Sequence, residues 1–235
     1  MFELLIYEKQ GNIGYITINR PNELNALSNS LVSELDQVLN LVENDEEIRV
    51  LIITGAGQKA FMAGADIKEL HKRNFILGRE HTKVRQRVFN KIVEMKIPVI
   101  AAINGFALGA GLELAMACTL RVACEEAKLG SPEVNLAIIP GDGGTQRLPR
   151  MVGLGRAMEM VLTGDFVDAR EAYRIGLVNK VVPREELMET VKKLGEKIAG
   201  KAPLAIQCAK EAVNRSTEVG IYEGLAHESY LHAFT

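Results

Sequence analysis

The chain has 235 residues, 47% of them hydrophobic, and its 28 Lys and Arg against 30 Asp and Glu give a formal net charge of −2. This length and composition predict one well-filled globular core, with at most a small appended lobe, and exclude a disordered or fibrous chain. The near-neutral charge, without a block of like charges, argues against nucleic acid as the main partner, which usually binds to a basic face.

The cysteines and the amino terminus bear on cellular location. Cys118, Cys124 and Cys208 form no CxxC pair, and an odd number without a framework is typical of free thiols in a reducing compartment. The first residues, MFELLIYEKQGN, lack the pattern of a signal peptide. No apolar run approaches the roughly 18 residues that suggest a membrane span. We therefore expect a soluble cytoplasmic protein with no membrane partner.

The first quarter of the chain predicts a hairpin, a helix and a buried strand. Residues 3–8 and 13–19 have strand patterns on either side of a Gly-Asn turn. Ser28 is a candidate helix N-cap, because the apolar residues after it recur at helical spacing. That stripe consists of Leu31, Leu35, Val38, Leu39 and Val42. A short buried strand over 49–57 then runs into a glycine turn.

The middle of the chain predicts two helices and two strands. Residues 66–73 and 79–95 have helical patterns. One side of the second helix is apolar and consists of Val84, Val88, Ile92 and Met95. Strands are predicted over 98–105, which ends in glycine, and over 119–124. Residues 132–150 are rich in proline and glycine and predict an ordered loop system.

Helical patterns dominate the last third. They cover 153–163, 168–176, 184–199 and 203–219, with a short strand near 178–182. Strands mixed with helices, followed by a mostly helical region, predict an α/β fold with a helical carboxyl-terminal part.

Three apparent motifs do not carry their usual function. GEKIAGKA (195–202) has the spacing of a phosphate loop, but Ala202 replaces the required Ser or Thr and no strand precedes it. GAG at 109–111 begins like a dinucleotide-binding turn, but Leu114 stands where its third glycine belongs, so no NAD site is expected. The histidines lack metal-ligand spacing, and no metal site is expected. They are His71, His81, His227 and His232.

Two glycine turns remain, each between a predicted strand and a helix. They are Phe61–Asp66 and 109–111. A helix start presents unpaired N–H groups and the positive end of the helix dipole, so two such turns brought together could donate to one developing oxyanion. Small residues would let a substrate carbonyl approach the backbone. From spacing alone, ordinary tight turns explain these segments equally well.

Two carboxylates lie in apolar surroundings. Glu113 falls one turn into the helix after the second glycine turn, and Glu133 follows Pro132 in SPEVNLAIIPG. A buried carboxylate is costly without a partner. Two of them can hold a water molecule and divide the roles of acid and base. Each could instead be a first-turn acid that complements a helix dipole.

At these residues the sequence resembles the crotonase superfamily of enoyl-CoA hydratases and isomerases, and within it the enoyl-CoA hydratases most closely. The correspondence extends over essentially the whole chain. The matching segments are RPNELNAL (20–27), VLIITGAGQKAFMAGADIKEL (50–70), PVIAAINGFALGAGLELAMAC (98–118), SPEVNLAIIPGDGGTQRLPR (131–150) and LTGDFVDAREAYRIGLVNKVVP (162–183).

The resemblance implies a spiral of ββα repeats over residues 1–182 and a helical trimerisation region over 183–235. It implies an acyl-CoA thioester substrate, a homotrimer or a hexamer made of two trimers, and no cofactor apart from the coenzyme A of the substrate. The implied reaction is the reversible syn addition of water to a trans-2-enoyl-CoA, as in fatty acid β-oxidation.

The resemblance also assigns residues. The N–H groups of Ala65 and Ala110 form the oxyanion hole, and position 110 is often glycine in relatives. Glu113 acts as base toward the attacking water, while Glu133 holds that water and delivers a proton to C2. The Gly141 N–H helps to position the water. The residues expected along the coenzyme A and pantetheine channel are Leu24, Ala63, Asp66, Ile67 and Lys68.

Two features depart from the family pattern. Asp142 replaces a residue that is often small and apolar in short-chain hydratases, and it could alter substrate preference or cap a helix over Gly143–Met151. Relatives usually continue beyond HESYLHAFT with a further helical segment, which this sequence lacks after Thr235.

Two other functions stay open at this point. A double-bond isomerase of the same fold would use mainly Glu133. A protein that binds RNA or acts in assembly would need no catalysis, but the net charge of −2 argues against it.

Overall fold

The strands of the chain lie in two sheets. The computed structural model describes residues 2–70 and 74–235. In chain order, the strands are β1 (Leu5–Gln10), β2 (Ile13–Ile18), β3 (Val50–Gly55), β4 (Ala60–Ala63), β5 (Val99–Ile103), β6 (Phe106–Leu108), β7 (Leu120–Cys124), β8 (Lys128–Gly130), β9 (Phe166–Asp168) and β10 (Lys180–Val182).

The helices connect and cover these strands. They are α1 (Asn29–Glu43), α2 (Ile67–Leu70), α3 (Phe75–Glu94), α4 (Ala110–Ala117), α5 (Gly144–Val152), α6 (Leu154–Thr163), α7 (Ala169–Arg174), α8 (Leu187–Ala199), α9 (Pro203–Arg215) and α10 (Ile221–His232). Among the described residues, short 3₁₀ helices lie at Pro21–Glu23, Pro132–Leu136 and Arg184–Glu186.

The chain crosses repeatedly from one sheet to the other. The larger sheet has the order β1-β2-β3-β5-β7-β10, and the smaller has the order β4-β6-β8-β9. In the larger sheet, β1 is antiparallel to β2, and β2, β3, β5, β7 and β10 are parallel to one another. The strand pairs β3–β4, β5–β6 and β7–β8 each place one strand in either sheet, and helical turns follow each pair. This arrangement confirms the predicted α/β fold with its spiral of ββα repeats.

α1 forms as the sequence predicts. The Ser28 hydroxyl accepts a hydrogen bond from the Leu31 N–H at 3.2 Å, so it caps the helix. The five residues of the predicted stripe are buried, together with Val32. This face packs into a core that also contains β3, whose six residues are all buried. A strand buried on both sides reads as a continuous apolar run, as this one does.

The prediction for α3 was correct in kind and in most of its buried face, since Val88, Ile92 and Met95 are buried. The helix begins earlier, at Phe75, because the Asn74 side chain accepts from the Leu77 N–H at 2.9 Å and caps it. Val84 is exposed, and the buried positions are Arg85, Val88, Phe89 and Ile92. The predicted helix over 66–73 is described as α2, and residues 71–73 lie outside the described residues.

The last third contains more breaks than the sequence predicted. Residues 132–150 are not only loop, since they contain a 3₁₀ turn and most of α5. The helix predicted over 203–219 ends at Arg215, and α10 was missed. α8 packs against the large sheet, with Gly195 close to Ile13 and Val50. The division into 1–182 and 183–235 stays a prediction. Within the described residues, no helix has both the length and the apolarity to span a membrane.

Candidate active site

A cleft of about 1060 Å³ lies between α3, α4 and the loop that precedes α5. Most of the residues that the sequence assigned to a site lie on its walls. These are Ala63, Ala65, Ile67, Ala110, Glu113, Glu133 and Gly141. They come from segments up to 78 positions apart (63 to 141), so the fold itself assembles the site.

The two glycine turns meet at this cleft because α4 lies directly on β4. A Cβ on Gly111 would stand 1.9 Å from the Met62 carbonyl oxygen, so only glycine permits this backbone contact. Gly64 and Gly109 have φ values of +96° and +52°, which other residues rarely adopt. The two turns are therefore adjacent, with glycine required at 111 by the backbone contact and favoured at 64 and 109 by φ.

The backbone N–H groups of Ala65 and Ala110 are left available. The N–H of Leu27 donates to the Gly64 carbonyl at 2.9 Å, and the N–H of Asp66 donates to the Leu27 carbonyl at 2.9 Å. Ala65 is held between these two bonds, and its own N–H has no acceptor among the described residues. Ala110 is the first residue of α4, where N–H groups have no partner within the helix. Both residues line the cleft.

Glu113 is buried, with 2% of its surface exposed. Its Oε1 accepts hydrogen bonds from the N–H groups of Asp142 and Gly144, each at 2.7 Å. No described residue donates to Oε2. Burial and the negative charge of Asp142 raise the pKa of Glu113 to about 8, against the opposing effect of the two N–H donors. One oxygen is thus fixed, and the group is a stronger base than an ordinary carboxylate.

Glu133 lies on the 3₁₀ turn at Pro132–Leu136 and is also buried. Neither of its carboxyl oxygens has a hydrogen-bond partner among the described residues. Burial raises the pKa of Glu133, and the charge of Asp142 acts in the same direction. A Cβ on Gly109 would lie 3.0 Å from Glu133 Oε1, so this carboxyl group lies beside the turn that presents Ala110. Its charge is also a minor cause of the raised pKa of Glu113.

The sequence did not predict a partner for Asp142. Its carboxylate accepts from Arg85 Nε at 2.7 and 2.9 Å, and both side chains are buried. α5 has Gly143 as its N-cap, without a side-chain hydrogen bond at that position. The signal for Arg85 was its place three residues before Val88 and seven before Ile92, on the buried face of α3. A lone charged residue at such a position is normally interpreted as surface.

Three predicted binding residues are not among those that line the cleft: Leu24, Asp66 and Lys68. The Leu24 carbonyl accepts from the Ala63 N–H at 3.1 Å, which supports the wall of the cleft from behind. Asp66 pairs with Arg20 at 3.0 Å, and this pairing lowers the pKa of Asp66. Asp66 also accepts from the Lys68 N–H at 3.0 Å, and Lys68 is exposed. Contact between these residues and coenzyme A stays a prediction.

Metal ligation has no candidate in the described part of the chain, where no three His, Cys, Asp or Glu residues group suitably. His227 pairs with Glu211 at 2.9 Å. His71 lies outside the described residues.

The fold and the cleft together define a class of protein: a spiral α/β protein with two available backbone donors and two buried carboxyl groups on one cavity. The chain belongs to the enoyl-CoA hydratase/isomerase family, whose model matches residues 8–235.

Individual relatives extend this result. The chain is 48% identical over 225 residues to the short-chain-enoyl-CoA hydratase of Clostridium acetobutylicum, covering 96% of this chain and 86% of that protein. It is 46% identical to the crotonyl-CoA hydratase of Syntrophomonas wolfei, covering 97% and 88%. The crystal structure of an enoyl-CoA hydratase from Bacillus anthracis superimposes with a TM-score of 0.95 at 42% identity, covering 98% of this chain and 90% of that one.

Proposed function

We propose that this protein is an enoyl-CoA hydratase, a hydro-lyase that reversibly adds water to a trans-2-enoyl-CoA to give the 3-hydroxyacyl-CoA. The observation that carries the proposal is the pair of buried carboxyl groups, Glu113 and Glu133, on the cleft that also contains the available N–H groups of Ala65 and Ala110. The names of the relatives support the same reaction.

The two N–H groups would bind the thioester carbonyl oxygen. Attack of water at C3 moves electron density from the C2–C3 double bond onto this oxygen. Donors that are already oriented stabilise the developing charge, and removal of one such donor typically costs about 10²–10³ in rate. We assign Ala65 and Ala110 this role.

Proton transfer would use the carboxyl pair. As the water oxygen bonds to C3, Glu113 accepts a proton from the water through Oε2, and Glu133 delivers its own proton to C2. The pair holds one proton before and after the step, and the reverse sequence dehydrates the product. Glu113 suits the role of base in the form of the pair whose single proton lies on Glu133. Its Oε1 is fixed by two N–H donors, and its pKa, raised to about 8, makes its carboxylate a strong proton acceptor. The predicted help from the Gly141 N–H remains part of this proposal.

The decisive experiment follows the loss of enoyl-thioester absorbance with crotonyl-CoA. We expect wild-type turnover and a fall of about 10²-fold or more in kcat for both Glu113→Gln and Glu133→Gln. Glu159→Gln, on the exposed face of α6, is the control and should hydrate at the wild-type rate. Wild-type rates in both site variants would rule out the two-carboxylate mechanism.

A double-bond isomerase is the alternative that one observation favours. Glu113 Oε1 is occupied by two N–H donors. Both oxygens of Glu133, in contrast, have no hydrogen-bond partner among the described residues, so Glu133 could carry a proton between carbons alone. Incubation with a 3-enoyl-CoA separates the two functions. Formation of 2-enoyl product that is not then hydrated would establish the isomerase in place of the hydratase.

The chemistry proposed here needs only protein groups and the acyl-CoA, so we expect no added cofactor. We also propose a homotrimer or a hexamer, because α9 and α10 expose large apolar side chains: Val213, Ile221, Tyr222, Leu225 and Tyr230. Light scattering on the purified protein tests this assembly. The three cysteines are free and buried, which supports a reducing, cytoplasmic location.

A further inference from the structure

The ion pair between Arg85 and Asp142 is almost fully buried, with exposed fractions of 5% and 2%. Arg85 Nε donates to both carboxylate oxygens, at 2.7 and 2.9 Å, and Nη2 donates to the Thr82 hydroxyl at 3.3 Å. Removing two charges from water costs about as much as their attraction returns, so such pairs add little net stability. The location of this pair suggests a role other than stability.

The backbone of Asp142 contacts Glu113 directly. The Asp142 N–H is one of the two donors to Glu113 Oε1, at 2.7 Å. The side chain of the same residue is tied to α3 through Arg85, and the preceding carbonyl, that of Gly141, accepts from Gln86 Nε2 at 2.7 Å. Two consecutive loop residues are therefore fastened to α3. This attachment fixes the N–H on which the orientation of Glu113 depends.

The pair also sets the charge around Glu113. Its charged neighbours are Asp142 on the loop, Glu133 on the 3₁₀ turn and Arg147 on α5, with Arg85 on α3 behind Asp142. Asp142 opposes ionisation of Glu113, and Arg85 partly compensates for Asp142. Removal of Asp142 would make ionisation of Glu113 easier, and removal of Arg85 would make it harder.

We propose that Arg85 and Asp142 are positioning residues for Glu113: they hold its anchoring N–H in place and adjust how readily it exchanges its proton with water. This inference rests on the proposed hydratase reaction. It assigns Asp142, which also lines the cleft, a part in the reaction that acts through Glu113.

The test is the pH profile of crotonyl-CoA hydration for single and paired substitutions. In Asp142→Asn the negative charge is lost, so the alkaline limb of kcat should move to lower pH by about one unit or more. In Arg85→Gln the positive charge beside Asp142 is lost, so the limb should move to higher pH. We expect kcat at the optimum to fall about tenfold in each, with KM within about twofold.

Two further variants separate geometry from charge and guard against loss of folding. Arg85→Lys keeps the positive charge but not the Nε contact, so kcat should fall while the limb stays in place. The double variant Arg85→Gln with Asp142→Asn removes both charges, so its limb should lie between those of the single variants. Circular dichroism checks that each variant is folded.

Arg87→Gln is the matched control, because Arg87 lies on the same helix and pairs with Asp36 on the surface at 3.4 Å. It should leave kcat and the profile unchanged. If the limbs of the single and double variants coincide with that of Arg87→Gln, the pair has no influence on Glu113 and the inference is wrong. Failure of the wild-type protein to hydrate crotonyl-CoA would instead contradict the proposed function.

Discussion

Replacement of Glu113 by glutamine should make the protein more stable at alkaline pH, even though it removes a group proposed for catalysis. The side chain is buried, and its pKa rises from an ordinary 4.5 to about 8 in the folded chain. Between these values the folded chain holds the proton and the unfolded chain releases it. Unfolding is therefore favoured as the pH rises through this window.

The size of the effect follows from the same two values. A carboxyl group with pKa 4.5 in the unfolded chain and about 8 in the folded chain removes on the order of 3 kcal/mol of stability between pH 4.5 and pH 7. The loss approaches about 5 kcal/mol above pH 8. Glutamine cannot ionise, yet it keeps an oxygen that can accept from the N–H groups of Asp142 and Gly144.

Urea denaturation followed by circular dichroism at pH 5, 7 and 8.5 measures this difference. Protein concentration must be held constant, because assembly would shift the midpoints. Wild type and Glu113→Gln should be similar at about pH 5, and the variant should be more stable by several kcal/mol at about pH 8.5. Glu159→Gln, which changes an exposed carboxylate, should follow the wild type at every pH. A constant difference between Glu113→Gln and wild type across this range would refute the argument.

Three further substitutions test backbone geometry, and a pH profile tests the protonation of the carboxyl pair. Gly111→Ala should unfold the protein or cost at least about 3 kcal/mol in a urea melt, because its Cβ would stand 1.9 Å from the Met62 carbonyl. A Cβ on Gly155 in α6 would have no described atom within 4 Å, so Gly155→Ala should stabilise the folded protein by about 0.5–1 kcal/mol. Ala110→Pro removes one N–H donor of the proposed oxyanion hole, so kcat/KM should fall about 100-fold or more. Proline is tolerated at the first position of a helix, which Ala110 occupies in α4, so the thermal midpoint should change little. The pH profile of wild-type kcat/KM should be bell-shaped, with an alkaline limb near the Glu113 pKa of about 8. The reason is that the rate follows the singly protonated carboxyl pair, whichever group holds the proton. A plateau above pH 9 would contradict the role of this pair.

Local patterns predicted the elements whose packing depends on short-range periodicity. The capped helix after Ser28 and the first hairpin formed where the sequence placed them. The short strands β6, β8 and β9 have three residues each, too few for a periodic signal, so the second sheet could not be read from alternation. The end of α9 at Arg215 and the helix at Ile221–His232 were missed because no proline separates the two helices.

The sequence predicted those site residues whose burial in an apolar segment costs free energy. Glu113 and Glu133 stood out as carboxylates in apolar sequence, and both proved to be buried on the cleft. Arg85 and its pairing with Asp142 could not be read in this way, because their 57 positions of separation leave no local trace. Leu24, Asp66 and Lys68 were assigned from resemblance. They are not among the residues that line the cleft, and their contact with coenzyme A stays a prediction.

The bonds that hold Ala65 come from a segment near residue 25, well before the turn in the chain. Leu24 and Asn25 both adopt the left-handed region, with φ values of +51° and +59°, so that this segment can reach the turn. Asn25 is fully buried, and its Nδ2 donates to the Ala60 carbonyl at 2.7 Å. The orientation of the Ala65 dipole is therefore determined when the chain folds. In the proposed reaction, a substrate that binds there contacts an N–H group that is already oriented. The free energy of orienting this group is therefore supplied once, during folding, and is not needed in each turnover.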